Sequence, residues 1–271
     1  MIPYLHSRTQ GEKFMNILRA IQRLGVLACA IGVACPPAAK AADEIQVYNA
    51  EINAPGTFSL QLHGNYVFDG AKTPDFPGGT PAHHAFNGTP EFAYGVEDWW
   101  EIGAYIPYEI DSHGNAQIGS VKLRSLFVSP DAANRSFFYG LNFELGYYKA
   151  SYDPNHVNME MRPMLGWRAN SWELIINPIL GMSLSGSNHT PDFDPAARLG
   201  YIVSPLWTVA VEHYAGLGPI DHINPMSQQS HETFLVVDYT GSPVGVNFGI
   251  GHGWNSASND LTAKFIIDIG F

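Results

Sequence analysis

The feature that most constrains this chain is a strict alternation of apolar and polar residues, which starts near residue 57 and continues to the end. In the stretch 261–271, every second residue is Leu, Ala, Phe or Ile, and Thr262, Lys264 and Asp268 lie between them. A period of two residues indicates a β-strand, because successive side chains of a strand point to opposite faces. No helical period competes with it, so the chain is predicted to be all-β.

The alternation divides the chain into twelve predicted strands, most of them about twice the common strand length of about 5–6 residues. Turn residues separate the segments, as a series of antiparallel strands requires. The predicted strands cover 57–69, 88–96, 99–110, 118–128, 136–149, 156–167, 172–185, 193–203, 206–214, 232–240, 243–254 and 260–271.

Alternation alone does not show which face of a sheet is buried. A soluble sandwich buries its apolar face, whereas a membrane barrel turns that face to lipid and its polar face inward. Three features favour the barrel. The strands match the about 9–11 residues that a tilted strand needs to cross a bilayer, the polar face is rich in Gly and charge, and short and long connections alternate. We therefore predict a single antiparallel transmembrane β-barrel of about twelve strands over 57–271, in the cell outer membrane.

An export signal precedes the predicted barrel. Two arginines stand before an apolar run, 24–33, and the small-x-small site Ala39-Lys40-Ala41 follows it, which is the order of a cleaved signal peptide. We expect residues 1–41 to be removed, and Met15 is our hypothesis for the true start. Residues 42–56 are interpreted either as a periplasmic strap or as a partial plug of the lumen.

Charge and cysteine content exclude several classes of protein. Residues 42–271 hold 24 of the 25 acidic residues but only 9 of the 14 basic ones. This balance argues against a nucleic-acid partner, because phosphate binding requires clusters of Lys and Arg. Cys29 and Cys35 are the only cysteines and both precede the barrel, so neither a disulfide framework nor a cysteine metal site is expected there. No cofactor-binding motif is apparent.

The C-terminal residues resemble the terminal-strand signature of Gram-negative outer-membrane β-barrels. Phe271 is the last residue, and Ile269, Ile267 and Phe265 precede it at every second position. The resemblance implies that the barrel assembly machinery reads Phe271 and that outer-membrane lipids surround the folded barrel. Within this class, residues 90–108 (PEFAYGVEDWWEIGAYIPY) resemble uncharacterised outer-membrane transporters of the phenol meta-pathway type. That resemblance implies transport and assigns no functional residues.

The predicted lumen is lined by charges of both signs. Five basic and five acidic side chains fall on the inward face of the alternation, with amide side chains between them. Two interpretations stay open: a network of ion pairs that fills a narrow barrel and fixes strand register, or a water-filled path for a small polar solute. The predicted lumen-lining residues are Lys122, Arg124, Asn142, Glu144, Glu160, Arg162, Glu173, Asn177, Arg198, Glu212, Asp238 and Lys264.

Histidines concentrate on the side of the predicted long loops, where neutral imidazoles could bind a divalent transition metal. The alternative is that surface loops simply collect polar residues. The neighbours His83 and His84 are expected to point apart in an extended chain. The candidate metal ligands are His83, His84, His113, His189, His222 and His231.

Enzymatic activity has little support. Outer-membrane lipid hydrolases carry His-x-Ser on a strand, and that spacing does not occur in this sequence. Asp192-Phe193-Asp194 and Asp111-Ser112-His113 match spacings of omptin-type barrel proteases, but their chain order is reversed. We predict a passive channel or transporter for small molecules and no enzyme. The alternatives are a structural or surface-binding barrel, with metal held by loop histidines, and, less favoured, a hydrolase at the rim.

Overall fold

The computed structural model describes residues 44–271, and the predicted signal peptide, residues 1–41, lies outside the described residues. The described chain forms a closed antiparallel β-barrel of twelve strands, which confirms the predicted fold class. Between residues 44 and 271, no helix is long and apolar enough to cross a membrane.

Four of the twelve barrel strands are split, so that the wall contains sixteen segments. The split barrel strands combine β3 with β4, β5 with β6, β9 with β10, and β11 with β12. The first and last residues of all twelve barrel strands lie within two residues of the predicted first and last residues. The segments are β1 (Phe58–Asp69), β2 (Phe86–Glu97), β3 (Trp100–Tyr105), β4 (Tyr108–Ile110), β5 (Ala116–Ile118), β6 (Ser120–Val128), β7 (Phe137–Tyr148), β8 (Val157–Ala169), β9 (Trp172–Asn177), β10 (Leu180–Ser183), β11 (Asp192–Phe193), β12 (Ala196–Ser204), β13 (Trp207–Gly216), β14 (Ser230–Tyr239), β15 (Val244–Gly253) and β16 (Leu261–Gly270).

Proline explains most of the splits, because it has no N–H to donate to a β-ladder. Pro107 separates β3 from β4, and the neighbouring barrel strand is interrupted beside it at Gly119, whose N–H donates to the Pro107 carbonyl at 2.8 Å. Pro178 and Pro195 interrupt the other two adjacent barrel strands. The four interruptions therefore form two side-by-side pairs in the sheet.

Strand β1 closes the barrel, since it pairs with β2 on one side and with β16 on the other. The connections define two ends. At the short-turn end, the first strand begins at Phe58 and the chain terminates at Phe271. The longest connection at this end, 129–136, contains a short 3-10 helix, Ala132–Asn134. The long-loop end carries the loops 70–85, 111–115, 149–156, 184–191, 217–229 and 254–260.

The outer surface is apolar, as a wall that faces lipid requires. Leu235, in the middle of β14, is 70% exposed. At the short-turn end, aromatic rings pack in pairs: Trp207 on Tyr239 and Trp172 on Tyr201, each with ring centroids 4.9 Å apart. Such rings form the girdles of outer-membrane barrels at the membrane–water interface. Fold and surface together are those of an outer-membrane β-barrel.

Part of the inner face is apolar, which differs from the uniformly polar lumen that we predicted. Phe138, Met164 and Ile175 lie on the inward face and are completely buried, and Leu126 is nearly so. Gly166 allows this packing, because a Cβ at that position would lie 1.9 Å from the Phe138 ring. These side chains belong to a small apolar cluster inside the described barrel.

The free-energy cost of a charged side chain on the lipid-facing surface depends on how deep the residue lies in the bilayer. Leu235 lies in the middle of β14, whereas Phe68, also exposed on the outer face, lies at the end of β1. We expect Leu235→Lys to lower the free energy of unfolding by about 2–4 kcal/mol and Phe68→Lys by about 0–1 kcal/mol. Chemical denaturation in lipid vesicles measures both, and equal effects would contradict a lipid-facing centre of β14.

Candidate functional site

The lumen is the candidate functional site, and the structure places all twelve predicted side chains on the inner face of the wall. Ten of them are at most 8% exposed. Glu160 and Asp238 are the two that keep more contact with solvent, at 28% and 15% of their side-chain surface.

Arg124 on β6 is the centre of a first group of charges, the Arg124 cluster. Its Nη2 atom lies 2.5 Å from Glu91 Oε1 and 2.5 Å from Glu101 Oε1. The second oxygen of Glu91 is hydrogen-bonded to His63 Nε2 at 2.9 Å. His63, Glu91, Glu101 and Arg124 come from four consecutive barrel strands, so the cluster ties together one side of the wall.

A second ion pair adjoins this cluster along the wall. Lys122 Nζ lies 2.8 Å from Glu144 Oε2 and 4.7 Å from the centre of the Tyr105 ring. Asn142 donates to the other oxygen of Glu144 at 2.9 Å. The carboxylate of Glu144 is therefore held by a cation and an amide from two adjacent strands.

Arg198 on β12 is the centre of a second group of charges, the Arg198 cluster, which is formed by later strands of the chain. Its guanidinium contacts Glu173 at 3.5 Å, Glu212 at 2.5 Å and Asp238. Lys264 Nζ reaches the other oxygen of Glu212 at 2.5 Å. Buried charges are costly unless they are paired and hydrogen-bonded. The ion-pair network of our first interpretation is thus present in the described lumen.

Residues 44–57, the N-terminal segment, run through the lumen without joining the sheet. At the short-turn end, the Gly56 N–H donates to the Gly95 carbonyl at 2.8 Å. Further along, Asn53 N–H donates to Glu101 Oε2 at 2.7 Å. Beyond its junction with β2 at Gly95, the segment contacts side chains that line the lumen, which is the arrangement of a plug.

Tyr48 is the most strongly held residue of the N-terminal segment. Its backbone N–H donates to Asn177 Oδ1 at 2.7 Å, and Asn177 Nδ2 donates back to its carbonyl at 3.1 Å. The Tyr48 hydroxyl lies 2.7 Å from the Tyr105 hydroxyl. The Arg162 guanidinium stacks over the Tyr48 ring at 4.3 Å. Backbone, ring and hydroxyl are therefore all fixed by the wall.

Three wall cations donate to backbone carbonyls of the N-terminal segment. Lys264 Nζ donates to Ile45 at 3.0 Å, Arg162 Nη1 to Gln46 at 3.2 Å, and Arg168 Nη2 to Asn49 at 3.3 Å. Arg162 also pairs with the Glu44 carboxylate at 3.3 Å. The segment supplies oxygen acceptors that water would supply in an open pore.

Apolar side chains of the N-terminal segment complete the docking. Val47 and Ala50 belong to the buried cluster that includes Phe138, Met164 and Ile175. Ile45 packs against a second inward cluster, formed by Ala210, Phe234 and Val236. The apolar part of the inner face thus packs against the segment. This contact explains why apolar side chains point into the lumen of a membrane barrel.

A cavity of about 110 Å³ remains between the N-terminal segment and the wall, next to Glu101, Arg124 and Asp268. This volume accommodates a few water molecules. Pockets for drug-sized ligands enclose about 300–1,000 Å³. This cavity is therefore too small for a solute of that size while the segment is in place.

One group of lumenal side chains has the composition of a metal site. Ligand atoms of Glu44, His63 and Glu91 lie within 4.8 Å of one another. Arg124 contacts Glu91 at 2.5 Å, however, and the Glu91 carboxylate already accepts from His63. A divalent cation would be repelled by the guanidinium, so this group is an ion-pair and hydrogen-bond network.

The candidate loop histidines do not form one cluster. His83 and His84 contact each other, with ring centroids 4.0 Å apart. The expectation that they point apart is wrong, because His84 has a left-handed φ of 59° and the chain is not extended there. The other four candidates lie in different places along the long-loop end: His113, His189, His222 and His231.

The aspartates with protease-like spacing have local structural contacts. Asp111 Oδ1 accepts the N–H groups of His113 and Asn115, each at 2.8 Å. Hydrogen bonds from the Asn115 side chain and backbone hold the pKa of Asp111 below its usual value. Asp111 therefore acts in turn geometry, as loop aspartates commonly do. Asp192 is the first residue of β11, and Asp194 lies at the split between β11 and β12.

Sequence reasoning missed three members of the Arg124 cluster: His63, Glu91 and Glu101. All three occupy the inward face of their strands, so the alternation of apolar and polar residues was sufficient to place them in the lumen. Their assembly into one cluster with Arg124 depends on the register of four strands, which no single segment specifies.

The fold resembles two solved porin structures. The KdgM porin has a TM-score of 0.52 and 10% sequence identity, over 79% of this chain and 99% of that chain. The NanC porin has a TM-score of 0.51 and 12% identity, over 78% of this chain and 98% of that chain. The sequence matches no protein-family model and no curated protein sequence. The resemblance of residues 90–108 to transporters of the phenol meta-pathway type stays a prediction.

Removal of Arg124 would leave Glu91 and Glu101 buried without their cation. We expect Arg124→Ala to lower the free energy of unfolding by about 3–5 kcal/mol, measured by chemical denaturation in detergent micelles. A variant that combines Arg124→Ala with Glu91→Gln and Glu101→Gln serves as the control and should recover much of the loss, because it buries no unpaired charge. A triple variant no more stable than Arg124→Ala would contradict the ion-pair account.

Proposed function

We propose that this protein is an outer-membrane channel for small polar solutes, and that its N-terminal segment closes the lumen. The single observation that carries the proposal is a closed barrel with a charged inner wall, occupied by a segment that forms no part of the sheet. Because no strand pairing is lost when the segment leaves, the ladder that holds the wall can persist without it.

The kinds of contact made by the N-terminal segment support this proposal. The segment is held by hydrogen bonds from wall cations to its carbonyl oxygens, by the hydrogen bonds and the ring contact of Tyr48, by one ion pair, and by small apolar contacts. Water can replace each polar contact, and hydrogen bonds that involve a charged group, as several of these do, contribute about 1.5–3 kcal/mol each. Displacement of the segment is therefore compatible with an intact barrel.

The charge of the wall predicts which solutes an open lumen would pass. Six basic and seven acidic wall residues take part in the lumenal ion pairs. A nearly balanced wall favours neutral polar solutes and gives weak ion selectivity. The similar folds of KdgM and NanC, both described as porins, add support for a channel. The proposal also includes export by cleavage after Ala41 and assembly through Phe271.

A second candidate, a closed structural or surface-binding barrel, is favoured by one observation. The described lumen contains the ion-pair network and the N-terminal segment, and the cavity between the segment and the wall measures only about 110 Å³. A barrel of this kind would anchor its loops at the cell surface and conduct nothing. Conductance measurements separate the two candidates.

Deletion of residues 44–53 is expected to open the channel. In planar bilayers, the complete barrel should show low or intermittent conductance, and the deletion variant should show sustained conductance of larger amplitude, because water replaces the segment. A deletion of residues 73–78, in an outer loop, is the matched control and should behave like the complete barrel.

Folding of each variant is checked by the heat-dependent shift in gel mobility that β-barrels show. A sealed bilayer at all voltages with the folded 44–53 deletion would contradict the channel and leave the structural barrel. Equal, sustained conductance of the complete and deleted barrels would contradict closure by the segment.

A further inference from the structure

A pair of imidazoles lies on the outer face of the wall, away from the lumen. His213 is on β13 and His231 is on β14, both near the long-loop end. His213 Nε2 lies 3.3 Å from His231 Nδ1, and the rings are nearly parallel at 23°. The ladder places Thr233 opposite His213 and His231 opposite Ala215, so the two histidines are diagonal neighbours on one face.

Gln229 fixes the protonated nitrogen of His231. The amide nitrogen of Gln229 donates to the Asn224 carbonyl at 2.6 Å, so its oxygen must face the ring. That oxygen lies 3.1 Å from His231 Nε2, which therefore carries the proton. In the neutral ring, the remaining nitrogen has a lone pair. His231 Nδ1 thus presents its lone pair toward His213.

Thr233 contacts the other ring, and its hydroxyl can serve either tautomer of that ring. Its hydroxyl lies 2.8 Å from His213 Nδ1 and accepts the indole N–H of Trp254 at 2.8 Å. A hydroxyl has a second acceptor site, so it can accept the Nδ1 proton of His213 as well. In that tautomer His213 Nε2 also carries a lone pair, so that two nitrogen atoms with lone pairs lie 3.3 Å apart.

The distance between the two nitrogen atoms fits a tetrahedral metal ion. Zinc binds imidazole nitrogen at about 2.0–2.1 Å, which gives a separation of about 3.3–3.4 Å between two ligands of a tetrahedron. The hydrogen bonds to Thr233 and Gln229 are of the type that orients metal-ligating histidines. Neither imidazole contacts a cation in the described structure, in contrast to the Glu91 group of the lumen.

We propose that His213 and His231 form a site for a divalent transition-metal ion, with zinc as the best fit, on the outer face of the barrel. Water occupies the remaining coordination positions. Without the ion, His213 turns to its other tautomer, and the pair closes with a hydrogen bond from its Nε2–H to His231 Nδ1. The site is independent of the channel proposed above.

Titration calorimetry of the untagged barrel in detergent micelles, with zinc chloride alone, tests the site. The unsubstituted barrel should bind one ion, and His213→Gln and His231→Gln should each weaken binding at least about tenfold. His84→Gln is the matched control, because His83 and His84 are a second pair of contacting imidazoles among the described residues. We expect it to leave binding unchanged.

Gel mobility shows that each variant is folded. Absence of binding to the unsubstituted barrel would overturn the proposal and leave the pair as a hydrogen bond. Binding that persists in both His213→Gln and His231→Gln, or that is lost in His84→Gln, would overturn it as well, because the ion would then lie elsewhere.

Discussion

The whole structure depends on one constraint: a strand inside a lipid bilayer cannot leave its backbone N–H and C=O groups unpaired, because no water is available there. The pairing of β1 with both β2 and β16 satisfies this constraint by removing every sheet edge. Closure then sorts the side chains of each strand into a lipid-facing and an enclosed set. The apolar outer surface and the charged lumen are both consequences of that sorting.

The enclosed charges bring a second requirement, since a narrow lumen offers little water to solvate them. Cross-strand ion pairs in the Arg124 and Arg198 clusters replace part of the missing solvation. The N-terminal segment replaces another part of the solvation, because its carbonyl oxygens accept hydrogen bonds from Lys264, Arg162 and Arg168. The same contacts that stabilise the lumen therefore also close it.

The strands, their ends and their outward faces could be predicted from the sequence, since a period of two residues is a local pattern. For residues 42–56 the sequence left a strap and a partial plug open, although one signal for docking inside the lumen was available. Met164 and Ile175 share the inward face with Arg162 and Glu173, and a water-filled pore has no need for them there. Which side chains meet across strands, such as Glu91 and Arg124, depends on register around the closed barrel, which lies beyond any local pattern.

The accessibility of a thiol in the N-terminal segment tests the central claim, occupation of the lumen, most directly. Residues 42–271 contain no cysteine, so Val47→Cys introduces a unique thiol at a position that is 5% exposed. In the folded barrel, this thiol should react with a bulky maleimide far more slowly than a Thr73→Cys thiol in an exposed loop, and equally fast after unfolding. Equal rates in the folded barrel would contradict the account.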